Sequence, residues 1–143
     1  MSSFSVVSAV ICEDVRREAS GQATIVGASP VGPTIGTEGE VIHSIAFYIE
    51  IVAKQILELD VRLVDRAGKN SVFERSFSLP IDVEENEMDW EAHTLMVLGF
   101  RDLKIPSAGE YLLQGRRPDG DWETIRVVLF PEDDEDCSES EQA

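Results

Sequence analysis

Basic residues are scarce in this chain. Its 143 residues hold 12 lysines and arginines against 28 aspartates and glutamates, a formal net charge of -16. Part of the excess is local. Residues 131–143, "PEDDEDCSESEQA", carry seven carboxylates and no basic side chain, which leaves 21 acidic against 12 basic residues, or -9, up to Phe130. Nucleic-acid backbones and anionic bilayers are gripped by clustered Lys and Arg. The only adjacent basic pairs are Arg16-Arg17 and Arg116-Arg117. Neither nucleic acid nor a membrane surface is an expected partner.

Cysteine and histidine are as sparse, at two each. Cys12 lies in an apolar run and reads as a small buried hydrophobe. Cys137 stands among carboxylates, which oppose a reactive thiolate, so no disulfide framework is expected. His43 and His93 belong to no C-x-x-C, H-x-x-H or H-E-x-x-H pattern, whereas zinc needs three or four converging ligands. No G-x-S-x-G or Cys-His signature marks a nucleophile. "VGPTIG" has neither the lysine nor the following helix of a phosphate cradle. The sequence therefore implies no cofactor, no metal and no enzyme. No apolar run approaches the roughly 18 residues of a membrane span, and no basic segment precedes the first apolar stretch as in an export signal. A cytoplasmic location is the expectation.

Short β-type runs between turn signals make up the rest. "SVVSAVIC" (5–12) and "ATIVGAS" (23–29) read as strands forming a hairpin, with the charged "EDVRREASG" as its solvated connection. "PVGPTIGTEGE" (30–40) reads as a loop without core-forming content. "VIHSIAFYIEIVA" (41–53) is a long strand with Ile45, Phe47, Ile49 and Ile51 on one face and Tyr48 and Glu50 on the other. "ILELDVRLVD" (56–65) puts Leu57, Leu59, Val61 and Leu63 inward and charges outward, as in an antiparallel sheet with one wet face. "RAGKN" turns the chain into "SVFERSFSL" (71–79), whose Phe73, Phe77 and Leu79 share a face. An acidic connection with five carboxylates between residues 84 and 91 leads to "TLMVLGF" (94–100). The last hairpin pairs 110–117 with 122–130, with Tyr111 inward. Its tip uses Pro118 for a preset φ, Asp119 for a local acceptor and Gly120 for a positive φ.

About eight strands without βαβ alternation indicate an all-β, two-layer antiparallel β-sandwich, immunoglobulin-like or C2-like. One domain is expected over residues 1–130, and residues 131–143 read as a disordered acidic tail. "AVICEDVRREASGQATIVG" and, near the end, "LKIPSAGEYLLQ…DG" resemble a family of small bacterial proteins without an assigned activity, over residues 6–130. That resemblance implies a β-sandwich and brings no catalytic residues.

Function is then expected to reside in surfaces. Asp14, Arg16 and Arg17 form a charged segment that is either a recognition patch or a solvated connection with ion pairs worth at most ~1 kcal/mol. Tyr48 and Ala46 share a face of the long strand with few charges, and such a face marks contact with another chain. Trp90, among carboxylates, is an exposed-aromatic candidate, while Trp122 is expected to pack across its hairpin or onto the sandwich edge. The leading expectation is a non-enzymatic interaction module for a protein partner or a homo-oligomer, using Asp14, Arg16, Arg17, Tyr48 and Trp90. The alternative is a ligand-binding sandwich, for calcium or carbohydrate, with loops around Asp65, Asp82 and Trp90.

Overall fold

A computed structural model describes residues 4–36, 38–53, 57–79 and 92–133. All its regular structure is β: β1 (Phe4–Cys12), β2 (Asp14–Arg17), β3 (Ala23–Val26), β4 (Glu40–Ala53), β5 (Leu57–Asp65), β6 (Ser71–Leu79), β7 (Ala92–Ile105), β8 (Gly109–Arg116) and β9 (Glu123–Phe130). Three antiparallel sheets result, in the orders β1-β4-β7, β2-β3 and β6-β5-β8-β9. The three- and four-stranded sheets bury one face each against the other. Chain crossings from one sheet to the other at β4–β5, β6–β7 and β7–β8 make the sandwich immunoglobulin-like.

Period-two patterning builds the core. Ile45, Phe47, Ile49 and Ile51 from β4 meet Leu59, Val61 and Leu63 from β5, all of them buried. Phe73 of β6 bridges the layers, with its ring centroid 5.8 Å from Phe47 and 4.3 Å from Phe100. Such contacts add about 0.5–1.5 kcal/mol beyond area burial. Tyr111 is 2 % exposed. Its hydroxyl donates to the Ser107 carbonyl at 2.7 Å and accepts from the Ser107 N–H at 3.3 Å. This tyrosine corner pins the start of β8 to the β7–β8 turn while the ring fills the core.

Alternation breaks in β4 and β7 without a shift of register. His43 is exposed, and Ile42 rejoins the core at a spacing of three from Ile45. Across the pair, Phe100 packs on the core and so do Leu103 and Ile105, again after a step of three. Asp102 adopts φ 55, the one non-glycine residue with positive φ among the described residues. The left-handed residue rotates the chain so that both strands change faces together. Register holds through the switch, from Ile45↔Phe100 to Ile42↔Leu103.

Four expectations are corrected. Residues 14–17 are not a solvated connection. They form β2, which pairs with β3 as a separate ribbon, while β1 pairs with β4. The loop after residue 29 does contribute to the core, because Ile35 is 0 % exposed. Gly32 brings it close: an added Cβ there would lie 2.6 Å from two Phe130 ring carbons. Gly120 has no positive φ. Its N–H bonds to the Arg117 carbonyl at 2.9 Å, which makes it the last residue of a turn with Pro118 and Asp119 at the centre.

Residues 131–133, assigned by the sequence to the tail, also belong to the domain. The Ile35 N–H donates to Pro131 O at 2.8 Å and the Asp133 N–H to Ile35 O at 2.9 Å. A chain ending at Asp133 is therefore expected to melt within about 2 °C of the full chain. One ending at Phe130 loses two hydrogen bonds, each worth about 1 kcal/mol net, and should melt roughly 6 °C lower. Thermal unfolding of the two truncations checks this, and equal melting temperatures would remove residues 131–133 from the domain.

Candidate functional site: an open sheet face and an edge cleft

The two outer faces of the sandwich differ in chemistry. On the four-stranded sheet, Glu58, Asp60, Arg62, Glu74, Ser76, Gln114 and Arg116 point outward, with Leu112, Val127 and Leu129 forming an apolar strip toward β9. Asp60 accepts from Ser76 Oγ at 2.8 Å and from Arg116 Nε at 3.3 Å. Arg62 Nε donates to Gln114 Oε1 at 2.8 Å. The Arg62 and Arg116 guanidinium carbons each lie 4.2 Å from the Trp122 ring centroid, a cation–π arrangement. Trp122 thus stacks on an arginine across its hairpin and on a second one from β5.

The outer face of the three-stranded sheet carries few charges. Register places Val10, Tyr48 and Val97 in one row across β1, β4 and β7, and Ser8, Glu50 and Leu95 in the next. Val10, Tyr48, Leu95 and Val97 are half-buried. At one end of this face Cys12 and Ala46 are buried, because the chain turns at Glu13 and β2 packs against β4 and β7. Ser44 Oγ donates to Glu13 O at 3.0 Å and ties the ribbon to β4. Burial, and then the negative charge of Asp14, push the Cys12 thiol pKa up, and Sγ donates to Ala46 O at 3.5 Å. It is a packed thiol rather than a nucleophile.

The sequence-derived candidates fall as follows. Asp14, Arg16 and Arg17 are exposed on β2. Arg16 Nε lies 3.9 Å from Asp14 Oδ2, a surface pair of little energetic weight. Crossing of β4 by the ribbon brings this segment and Tyr48 to one side of the molecule. Trp90 and Asp82 lie outside the described residues.

Asp65 is committed to its own turn. Its Oδ1 accepts from the Lys69 and Asn70 N–H groups at 2.8 and 3.2 Å, and its Oδ2 from Asn70 Nδ2 at 2.9 Å. Partial desolvation works to raise the Asp65 pKa, but hydrogen bonds from Asn70, Lys69 and Gly68 outweigh it and hold the carboxyl below the ordinary aspartate value. Three of its roughly four lone-pair sites are occupied by the turn. Among the described residues no three His, Cys, Asp or Glu side chains converge as metal ligands.

The face switch creates a feature that the sequence reading missed. Pairing of β1 with β4 ends at Cys12↔Ala46, so residues 40–45 have β7 on one side and, among the described residues, no strand on the other. A cleft of about 390 Å³ occupies the gap between this edge and residues 27–33. His43 lines it, and His43 Nδ1 lies 3.1 Å from Oδ1 of Asp102 on β7, both side chains exposed. The signal was present as two steps of three, Ile42 to Ile45 and Phe100 to Leu103, inside strands of period two.

Fold and surfaces together define an acidic immunoglobulin-like β-sandwich whose three-stranded sheet has an outer face with few charges. Among the described residues no helix is long and apolar enough to cross a membrane. Comparison of the sequence with protein-family models and with curated proteins gives no match to either.

Proposed function

We propose that this protein is a non-enzymatic interaction module of the cytoplasm that holds a partner protein against the outer face of its three-stranded sheet. One observation carries the reading: Val10, Tyr48 and Val97 form an uncharged row across all three strands of the sheet. Apolar surface of this kind is stabilised by cover. A net charge of -16 repels a second copy and favours a partner whose apolar patch has a basic rim. Arg16 and Arg17 on the neighbouring ribbon would meet acidic positions at that partner's edge.

Tyr48→Lys tests the proposal. The side chain is half-buried, so the fold should tolerate the change, while a charge against a partner's apolar surface is costly. The variant is expected to melt within a few degrees of the wild type and to bind a purified partner at least tenfold more weakly, about 1.4 kcal/mol. Light scattering across a concentration series tests for the second copy. A wild type that is monomeric and binds no protein, or binding unchanged by Tyr48→Lys, refutes the proposal.

A further inference from the structure

We infer that the edge cleft receives an extended peptide segment, which pairs through its main chain with residues 42–45 of β4 and sets one apolar side chain into the gap. This surface is separate from the Tyr48 face.

The first reason is the edge itself. A strand edge without a neighbour presents a row of N–H and C=O groups, the template for adding a strand. Here the edge is recessed and faces a wall, which distinguishes it from the outer edges of β6, β7 and β9. The wall is fixed in place. Ser29 N–H donates to Ile11 O at 3.0 Å, Gly32 N–H to Leu129 O at 2.7 Å, and Arg126 Nη2 to Pro30 O at 2.9 Å. A preformed wall spares an incoming segment the cost of ordering one.

Lining and charge define the guest. Val31 and Pro33 supply most of the apolar surface, over the buried Ile11, Ile42 and Ile45, and a volume of about 390 Å³ accommodates one large aliphatic or aromatic side chain. Interfaces concentrate their energy in such anchors. Glu13 and His43 line the cleft, and Asp102 lies behind His43 on β7, 3.1 Å from its ring, in a chain of net charge -16. A Lys or Arg next to the anchor therefore complements the rim. This chain's own residues 134–143, "DEDCSESEQA", have the wrong sign for it.

Panning a displayed library of random heptapeptides against the full chain tests the inference. Sequences with an apolar residue next to Lys or Arg should be enriched. A synthetic peptide of the enriched sequence should shift the backbone amide resonances of residues 42–45 and slow their hydrogen exchange. Val31→Arg, which fills the cleft, should weaken that peptide by about tenfold or more. Asp102→Asn keeps a residue type that accepts the left-handed conformation and should weaken it by about threefold, with less dependence on salt. Tyr48→Lys should leave peptide binding unchanged, so failure here and failure of the sheet-face proposal are read separately.

Absence of any enriched sequence overturns the inference. So does exchange protection that maps away from residues 42–45, or peptide binding that survives in a folded Val31→Arg variant. If Val31→Arg does not fold, the protection map and Asp102→Asn decide. A requirement that residues 134–143 be removed before any peptide binds would make the chain its own occupant and would also overturn it.

Discussion

Gly39→Ala is expected to destabilise the domain by roughly 2–6 kcal/mol, as the combined cost of a strained backbone and an overpacked site. Gly39 has φ 90 and closes the turn into β4, with its N–H bonded to Gly36 O at 3.0 Å. An added Cβ would lie 2.5 Å from Pro106 O and 2.6 Å from Ile105 O. Both contacts are backbone carbonyls, and Ile105 is fully buried, so neither yields by rotating a side chain. Gly68→Ala is the control. Its φ is 76 but nothing lies within 4 Å of an added Cβ, so only the conformational cost of about 1–2 kcal/mol applies. Chemical denaturation of the two variants separates strain from collision. Equal losses would place the Pro106 carbonyl farther from residue 39 than described here.

Ile35→Ala should cost about 2–5 kcal/mol, the range for removing a large aliphatic side chain from a packed core. At roughly 3 °C per kcal/mol for a chain of this size, the melting temperature should fall by about 6–15 °C. Ile35→Val, losing one methylene, should cost about 0.5–1.5 kcal/mol. A loop residue of ordinary exposure would show almost nothing in either variant. A loss under 1 kcal/mol for the alanine would return residues 30–36 to the surface. The same segment forms one wall of the edge cleft, so Ile35→Ala should also weaken any peptide held there, whereas Gly68→Ala at the far turn should not.

Legibility of the fold in the sequence follows the range of the forces involved. Side-chain direction along a strand is set by the chain itself, so Leu59, Val61 and Leu63 of β5 and Ile45 to Ile51 of β4 could be assigned to the core from their spacing alone. The turns at residues 66–70 and 117–120 were legible for the same reason, although the hydrogen bonds of Asp65 in the first and the φ of Gly120 in the second were not. The apolar face around Tyr48 was visible as the second half of that alternation. Composition alone set the charge.

What the sequence left undetermined depended on neighbours far along the chain. Ile35 sits in a stretch of glycine and proline, and its burial arises because Gly32 lets that stretch lie on Phe130, almost a hundred positions away. Residues 131–133 gain their place through the same loop. Strands β2 and β3 pair with each other while β1 pairs with β4, a choice made by the whole sheet. The left-handed Asp102 turns two strands at once, and the cleft exists only because β1 stops pairing at Cys12 while β4 continues. Local pattern decides which way a residue points; the packed sheets decide which edges and faces remain open.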